Sequence, residues 1–482
     1  MPGGLNSMAI DGGRQIEKRR NPATVADIVP ALNKRWLPGP ALCMLILLLA
    51  MMLGGGGTVN PQTEMVLQVL IALTMIPLVG SVRWQHGLGP VHPGAWLLAA
   101  LILVLPVAQL IPLPPSLWQA LPNRSIEAQA LAAAGAVGVW MPLSMAPART
   151  FASLIAMICP VLVMIQVSRL SLQGRTLLCA AIIGGGILSL ILGVLQLSQT
   201  GGWNWSLYNQ YSEGFLVGFQ ANRNAECDVL MIALLAIGVL GAVRLDDGRQ
   251  HLLTMGVVAL GLPAFLVGVL MTGSRTGIAL LLPAALVLFG IFWPVLHRRI
   301  NMLRWFGGVL ILLALTATTL AQLQSVQKVI ARFSITTEAR WDLWADTWYA
   351  IGQVWPFGSG IGTIVPMLEA AERLDVVDMT SPVRAHNDWL EWTLEAGLPG
   401  LVVLGIVILV IGWFAVRAII SSNRAGVAPA RRAQVAFGTG VLIIEGLHAI
   451  VDYPMRSMAL AILSATALAF LFEPTASQRN EP

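Results

Sequence analysis

Charged side chains are scarce in this sequence. Only 11% of its 482 residues are Asp, Glu, Lys or Arg, whereas soluble chains carry about 25%. Hydrophobic residues make up 56% of the chain, and its mean hydropathy is +0.75. Such a chain cannot cover a globular surface with polar groups, which excludes a soluble domain. The composition predicts a protein that spans a lipid bilayer.

Cysteine is also rare, and several familiar motifs are missing. All four cysteines (Cys43, Cys159, Cys179 and Cys227) lie in or beside apolar runs, which predicts packing or lipid-facing positions and excludes a disulfide framework. The sequence has no Walker motif, no H-E-x-x-H, no G-x-S-x-G and no D-x-D pair in a predicted outer loop. We therefore expect no metal, no cofactor and no nucleic-acid partner.

Long apolar runs are what the sequence has in abundance. About 20 apolar residues cross a hydrocarbon core of about 30 Å as a helix, and helices satisfy their own backbone polar groups in lipid. We predict an all-α, polytopic integral membrane protein with about 12 transmembrane helices. The predicted spans lie near 40–56, 65–81, 94–113, 151–168, 176–197, 225–243, 252–272, 276–296, 305–322, 397–416, 433–451 and 457–472.

The polar segments predict the orientation and the parts of the chain. Residues 1–38 are polar and lack a signal-peptide cleavage site after the next apolar run, which predicts an uncleaved cytoplasmic tail. Lys and Arg concentrate in the segments on the side of this tail, which predicts cytoplasmic N- and C-termini. A transmembrane domain at 39–473 carries a large helical periplasmic loop at 323–396, and residues 474–482 form the C-terminal tail.

The large loop is rich in tryptophan and more acidic than basic. Trp341, Trp344 and Trp348 recur at helical spacing, which predicts an amphipathic helix on or against the membrane domain. These side chains either anchor the loop at the membrane interface or form a platform for sugar rings or a lipid carrier. Trp341 and Trp389 are the candidates for substrate binding.

The most informative motif starts at His386 and reads H-N-x9-G-x-x-G, ending where a transmembrane helix begins. A histidine at the outer surface can be neutral near pH 7, because its unperturbed pKa is about 6.5. A neutral imidazole could accept a proton from a substrate hydroxyl, and Asn387 could orient the ring or the acceptor. Arg384 is a further binding candidate. The alternative is a histidine that caps or packs a helix start.

A second motif, Thr272-Gly273-Ser274-Arg275-Thr276-Gly277, lies between two apolar runs. Ser274 is a plausible N-cap, and the helix start it caps favours anions. Arg275 adds a full charge and a donor fork that suits phosphate. We predict a diphosphate site at the outer surface, and the alternative is an arginine that only extends to the interface.

Three further groups are less specific. Asn222 and Asn224 precede a span, where they either bind a ligand or cap the helix. Arg340 in the large loop is followed by a glycine-rich turn at 355–362, and taken alone it is a surface charge. The spacing of Glu445, His448 and Asp452 predicts one helical face, and we interpret these residues as a structural polar network because ionisable groups in a span are costly.

Taken together, these motifs resemble the O-antigen ligase and polymerase family of bacterial surface-polysaccharide enzymes. The resemblance runs from about residue 215 to 465, through G-F-Q-A-N-R-N, T-G-S-R-T-G, Arg340 with P-F-G-S-G-I-G, the histidine motif and D-Y-P. The P-L-P-P-S-L-W segment at 112–118 is also similar, whereas the first hundred residues match only in hydropathy.

The resemblance implies an inverting, metal-independent glycosyltransferase of the bacterial inner membrane. Such an enzyme moves a glycan from undecaprenyl diphosphate to an acceptor sugar in the periplasm. By motif, His386 is the general base and Arg275 and Arg340 bind the diphosphate; for Arg340 this role rests on the family alone.

Two alternatives remain open. A ligase with the lipid A core as acceptor is preferred over a polymerase that joins lipid-linked repeats. A polysaccharide or lipid-carrier transporter is less favoured, because the candidate groups crowd one membrane face.

Overall fold

The computed structural model describes residues 38–57, 62–80, 88–198, 205–208, 212, 214–246, 252–299, 339–375, 377 and 383–474. The helices among them are α1 (Pro38–Leu53), α2 (Gln62–Gly80), α3 (Pro93–Leu110), α4 (Pro115–Trp118), α5 (Ser125–Ala133), α6 (Pro147–Ser168), α7 (Leu172–Leu197), α8 (Arg223–Asp246), α9 (Leu252–Met271), α10 (Arg275–Arg299), α11 (Ala339–Val354), α12 (Ile364–Ala371), α13 (Asp388–Ser422), α14 (Pro429–His448) and α15 (Met458–Leu471). Two short strands, β1 (Pro112–Leu113) and β2 (Met141–Pro142), pair antiparallel within the proline-rich segment.

The all-helical membrane class is confirmed. Among the described residues, six helices are long and apolar enough to cross a membrane: α3, α6, α7, α13, and the parts of α8 and α10 at Arg223–Val243 and Arg275–Trp293. Every predicted span within the described residues contains a helix. The predicted span at 305–322 and most of both predicted tails lie outside the described residues, so the total of twelve stays a prediction.

Helix α8 lies at the centre of the bundle and is almost entirely buried. It packs against α7, α9, α10 and α14. Small residues let the helices approach closely, as in other membrane bundles: a Cβ atom on Gly277 of α10 would collide with the Cys227 side chain of α8. All four cysteines are buried and free, so they occupy packing positions and not lipid-facing ones.

Helices α8, α10 and α13 begin at the same end of the bundle, which we call the site end. The Leu216 N–H, just before α8, donates to the Met271 carbonyl at the end of α9 (3.3 Å), and Gly277 in the first turn of α10 contacts Cys227 in the first turns of α8. The Asp388 N–H at the start of α13 donates to the Ala449 carbonyl just after α14 (2.9 Å).

The other end of the bundle, which we call the opposite end, is closed by arginines. Arg175 is fully buried and donates to the Phe472 carbonyl (2.8 Å) and the Phe470 carbonyl (3.3 Å). Arg431 donates to the Phe470 and Leu471 carbonyls. These guanidinium groups satisfy carbonyls that a helix leaves unpaired at its C-terminus, where positive charge is favourable.

Candidate functional site

His386 occupies a strained turn directly before α13. Its φ of 51° is in the left-handed region, which non-glycine residues adopt at a cost of about 1–3 kcal/mol. The turn is fixed on both sides: the Asn387 Oδ1 accepts from Trp389 N–H (3.0 Å) and Leu390 N–H (3.1 Å), and Trp344 Nε1 of α11 donates to the Ala385 carbonyl (2.9 Å). The imidazole is therefore held in place while 32% of it stays exposed.

Asp452 contacts this imidazole directly. Its Oδ1 lies 3.0 Å from His386 Nδ1 and accepts from Tyr453 N–H (3.0 Å), and its Oδ2 accepts from Asn224 Nδ2. Burial raises the pKa of Asp452, but the hydrogen bond and charge of His386, with the charges of His448 and Arg340, lower this pKa to about 2. Asp452 is thus an ionised carboxylate. When the imidazole is neutral, this carboxylate favours the hydrogen on His386 Nδ1, which leaves the lone pair on Nε2.

Tyr453 and Asn222 complete the surroundings of the imidazole. The rings of Tyr453 and His386 meet edge to face with centroids 4.9 Å apart, and Asn222 Nδ2 donates to the Tyr453 hydroxyl (3.3 Å). Asn222 also caps α8, because its Oδ1 accepts from Asn224 N–H (2.9 Å). Of the two roles that the sequence left open, the structure shows the helix cap, and ligand binding stays a prediction. Asn222 and Asn224 also contact Tyr453 and Asp452, which surround His386.

A second histidine lies beneath Asp452. The His448 Nδ1 is 2.6 Å from Asp228 Oδ2, and its Nε2 is 4.0 Å from Asp452 Oδ2. A narrow cleft is lined by His448, Asp228 and Asp452, together with Asn222, Asn224 and Tyr453. The structure corrects one detail of the sequence-based interpretation: α14 ends at His448, so Asp452 lies in the following turn and not on the helical face of Glu445 and His448.

Two partly buried arginines connect the start of α13 to its neighbours. Arg456 contacts Asp388 (3.2 Å), Glu391 (3.4 Å) and Glu395 (3.0 Å). Arg384 contacts Glu391 (3.4 Å) and donates from Nε to the carbonyl of Gly57 (3.3 Å). Because Arg384 is already paired with a carboxylate, its contacts are those of a residue that positions the turn.

The glycine-rich turn at 355–362 packs against a kink in α13. Gly397 has φ 58° and ψ −154° inside the helix, and a Cβ atom there would collide with the Pro356 carbonyl, so only glycine fits. The Leu398 N–H donates to that carbonyl (2.8 Å), and Glu395 Oε1 accepts from Gly362 N–H (2.9 Å). Helix α13 begins at Asp388, so it starts ahead of the predicted span at 397–416.

Arg275 and Ser274 lie at the site end. The Ser274 Oγ accepts from the Gly277 N–H (3.1 Å), so its predicted capping role is confirmed. Arg275 is the first residue of α10 and is partly exposed. It starts a helix whose first turn packs on Cys227, next to Asp228.

Arg340 lies in the first turn of α11, close enough for its charge to act on both Asp452 and His448. The predicted helix around the loop tryptophans is confirmed as α11. Trp341 is 65% exposed and packs edge to face on Trp344, with centroids 5.1 Å apart. Trp389, in the first turn of α13, is also exposed.

The structure thus gathers His386, Asn387, Asn222, Asn224 and Arg340 around Asp452. Sequence reasoning missed Asp452 as the partner of His386, and it missed Asp228 entirely. One signal pointed to Asp228: an acidic residue in an apolar span is expensive and marks a functional or paired position. Among the described residues, no group of three or more His, Cys, Asp or Glu side chains is arranged to hold a metal ion.

Residues 257–405 match the family model of the O-antigen ligase. The resemblance to the O-antigen ligase family is confirmed. The matched stretch contains Arg275, Arg340 and His386, whereas Asp228, His448 and Asp452 lie outside it. No curated protein matches the chain. The family match indicates an enzyme of glycosyltransferase type with O-antigen ligase- or polymerase-like activity.

Proposed function

We propose that this O-antigen ligase-like protein is an inner-membrane enzyme that transfers a glycan from undecaprenyl diphosphate to the lipid A core in the periplasm. The observation that carries the proposal is the His386–Asp452 contact of 3.0 Å, which leaves the second ring nitrogen of a partly exposed imidazole as a proton acceptor. A carboxylate that orients a histidine in this way is the arrangement used to activate hydroxyl nucleophiles.

The reaction is a single displacement that inverts the anomeric carbon. The acceptor hydroxyl gives its proton to His386 Nε2, and its oxygen forms a bond to that carbon. The bond between the carbon and the diphosphate oxygen breaks, and undecaprenyl diphosphate departs with the electron pair. General-base catalysis of this kind contributes about 10²–10⁴-fold.

The negative charge on the leaving group needs stabilisation at the same place. Arg340 acts on Asp452 through space, Arg275 starts α10 at the site end, and three helix N-termini begin there, which favours an anion. Asn387 and Asn222 support the imidazole, and Trp341 and Trp389 offer exposed aromatic faces for sugar rings.

The proposed orientation places the site end in the periplasm and both termini in the cytoplasm. The arginines of the opposite end support it, because positively charged residues favour the cytoplasmic side. These include Arg169, Arg175, Arg417, Arg424, Arg431 and Arg432. The large loop that contains α11 and α12 is then periplasmic.

The test is transfer by the purified protein in detergent from a defined undecaprenyl-diphosphate glycan. A lipid A-core acceptor and a second lipid-linked repeat are supplied in separate reactions. We expect product with the lipid A-core acceptor; product only with the second repeat would make the protein a polymerase. No product with either acceptor, despite an intact fold, would support transport, because detergent leaves no sealed compartment.

His386→Asn is the matched variant for the base. Asparagine tolerates the left-handed backbone at this position, so the turn is kept while the base is removed. We expect transfer to fall by about 10²–10⁴-fold with unchanged protein level in the membrane. His92→Asn at the opposite end is the control. Near-normal transfer by His386→Asn would rule out the base assignment.

A further inference from the structure

His448 is buried between two carboxylates and contacts one of them closely. The side chain is 1% exposed, and Nδ1 lies 2.6 Å and 2.8 Å from the two oxygens of Asp228. Its Nε2 has no hydrogen-bond partner among the described residues, and it faces Asp452 Oδ2 at 4.0 Å. The other oxygen of Asp452 is the one that contacts His386.

The two carboxylates determine the favourable protonation state of this ring. A neutral ring that gives its one hydrogen to Asp228 turns a nitrogen lone pair towards the ionised Asp452, which is repulsive. A doubly protonated ring presents an N–H to each carboxylate. A buried carboxylate such as Asp228 also needs a positively charged or hydrogen-bonding partner, which the imidazolium provides.

Among the described residues, the charges that act on Asp228 are those of His448 and Asp452. Glu445, on the same helix, has no hydrogen-bond partner for either carboxyl oxygen among the described residues, so a neutral carboxylic acid is favoured there. Arg340 acts from α11 on both His448 and Asp452. Cys227 of α8, Asp388 of α13, Tyr453 and His386 are further groups among the described residues that face this cluster.

We propose that His448, held by Asp228, is a positioning residue for the glycan transfer proposed above. Its imidazolium presents a positive charge to the far oxygen of Asp452, and it keeps that carboxylate ionised and directed at His386. The inference rests on the proposed function, because it assigns His448 to the support of the proposed base. The ring does not touch substrate.

The first test is the pH profile of transfer by His448→Gln. Without the positive charge beside Asp452, the His386–Asp452 pair binds a proton more readily. A proton on that pair prevents His386 from accepting the proton of the acceptor hydroxyl. We expect the acid limb of the kcat/KM profile to move to higher pH by about one unit, the usual size for a nearby charge. We also expect kcat at neutral pH to fall about ten-fold, part of what a general base contributes.

Three further variants make the result specific. His448→Lys restores a positive charge, so its acid limb should return towards that of the unchanged enzyme. Asp228→Asn combined with His448→Gln should be no worse than the worse single variant, because the pair acts as one unit. His92→Gln removes a histidine that stacks on Phe472 at the opposite end, and it should leave the profile unmoved.

Direct observation of the ring completes the test. The chain has six histidines, and ¹⁵N labelling should show one imidazole that stays doubly protonated at pH 8 and is absent from His448→Lys. A neutral signal for that ring, or an unmoved acid limb in a folded His448→Gln protein, would overturn the inference. If His386→Asn keeps its activity, the proposed function fails instead, so the two failures are distinguishable.

Discussion

The two ends of the bundle use arginine in different ways. At the opposite end, Arg175 and Arg431 are buried and donate to backbone carbonyls of α15, so their hydrogen bonds close the end of a helix. At the site end, Arg384 and Arg456 are paired with carboxylates of α13, while Arg340 and Arg275 remain partly exposed. The arginines of the opposite end therefore stabilise a helix terminus, whereas Arg340 and Arg275 carry partly exposed charge at the site end.

The largest expected effect tests the site end. Asp452→Asn keeps the shape of the side chain but removes the negative charge that fixes the hydrogen on His386 Nδ1. We expect transfer to fall by about 10³–10⁴-fold, as for the corresponding change in hydrolases with a histidine–aspartate pair. The measurement is kcat with purified protein. A fall of less than ten-fold would separate Asp452 from the chemistry.

Arg175→Met tests the opposite end. It removes the Arg175 donor from the Phe472 carbonyl, while the Phe470 carbonyl keeps its hydrogen bond from Arg431, and a lost hydrogen bond to a charged group costs about 1.5–3 kcal/mol. We expect the free energy of unfolding to fall by about 3 kcal/mol, with kcat unchanged for the protein that remains folded. Arg417→Met, an exposed arginine at the same end, is the control. A change in kcat without loss of stability would contradict the distinction between the two ends.

The contribution of Asp452 to stability has a defined pH dependence. Because the folded pKa of about 2 is below the ordinary value of 3.8, this contribution is fully present above that ordinary value and is lost as the pH falls towards 2. Asp452→Asn should therefore lower the free energy of unfolding by about 2 kcal/mol at pH 5, and by less as the pH falls towards 2. Thermal unfolding in detergent checks this, and an effect that persists undiminished towards pH 2 would count against an ionised Asp452.

The smallest effect concerns the exposed aromatic side chains. Trp341→Ala removes an exposed ring that packs on Trp344, and aromatic contacts are worth about 0.5–1.5 kcal/mol. We expect KM for one of the two glycan substrates to rise about three- to ten-fold with little change in kcat. Trp413→Ala, which removes an exposed tryptophan near the opposite end of α13, should change neither constant. Equal effects of the two variants would assign Trp341 to the membrane interface.

The sequence predicted those features that depend on neighbouring residues. Apolar runs located the helices because bilayer thickness sets their length. Ser274 was recognisable as a cap, and the spacing of three tryptophans predicted α11. The contact of His386 with Asp452 joins residues 66 apart, and that of His448 with Asp228 joins residues 220 apart. In a bundle with apolar residues on every helix face, hydropathy does not determine which faces meet, so these pairs required the structure.

The packing of the 355–362 turn against Gly397 determines which substitutions in α13 this protein tolerates. The Pro356 carbonyl fills the space of a missing side chain, so a backbone contact holds α13 against the 355–362 turn. The imidazole of His386 lies eleven residues before Gly397, in the turn that leads directly into α13. Substitutions along the exposed half of α13 that follows the kink can therefore accumulate while His386 keeps its position relative to the 355–362 turn.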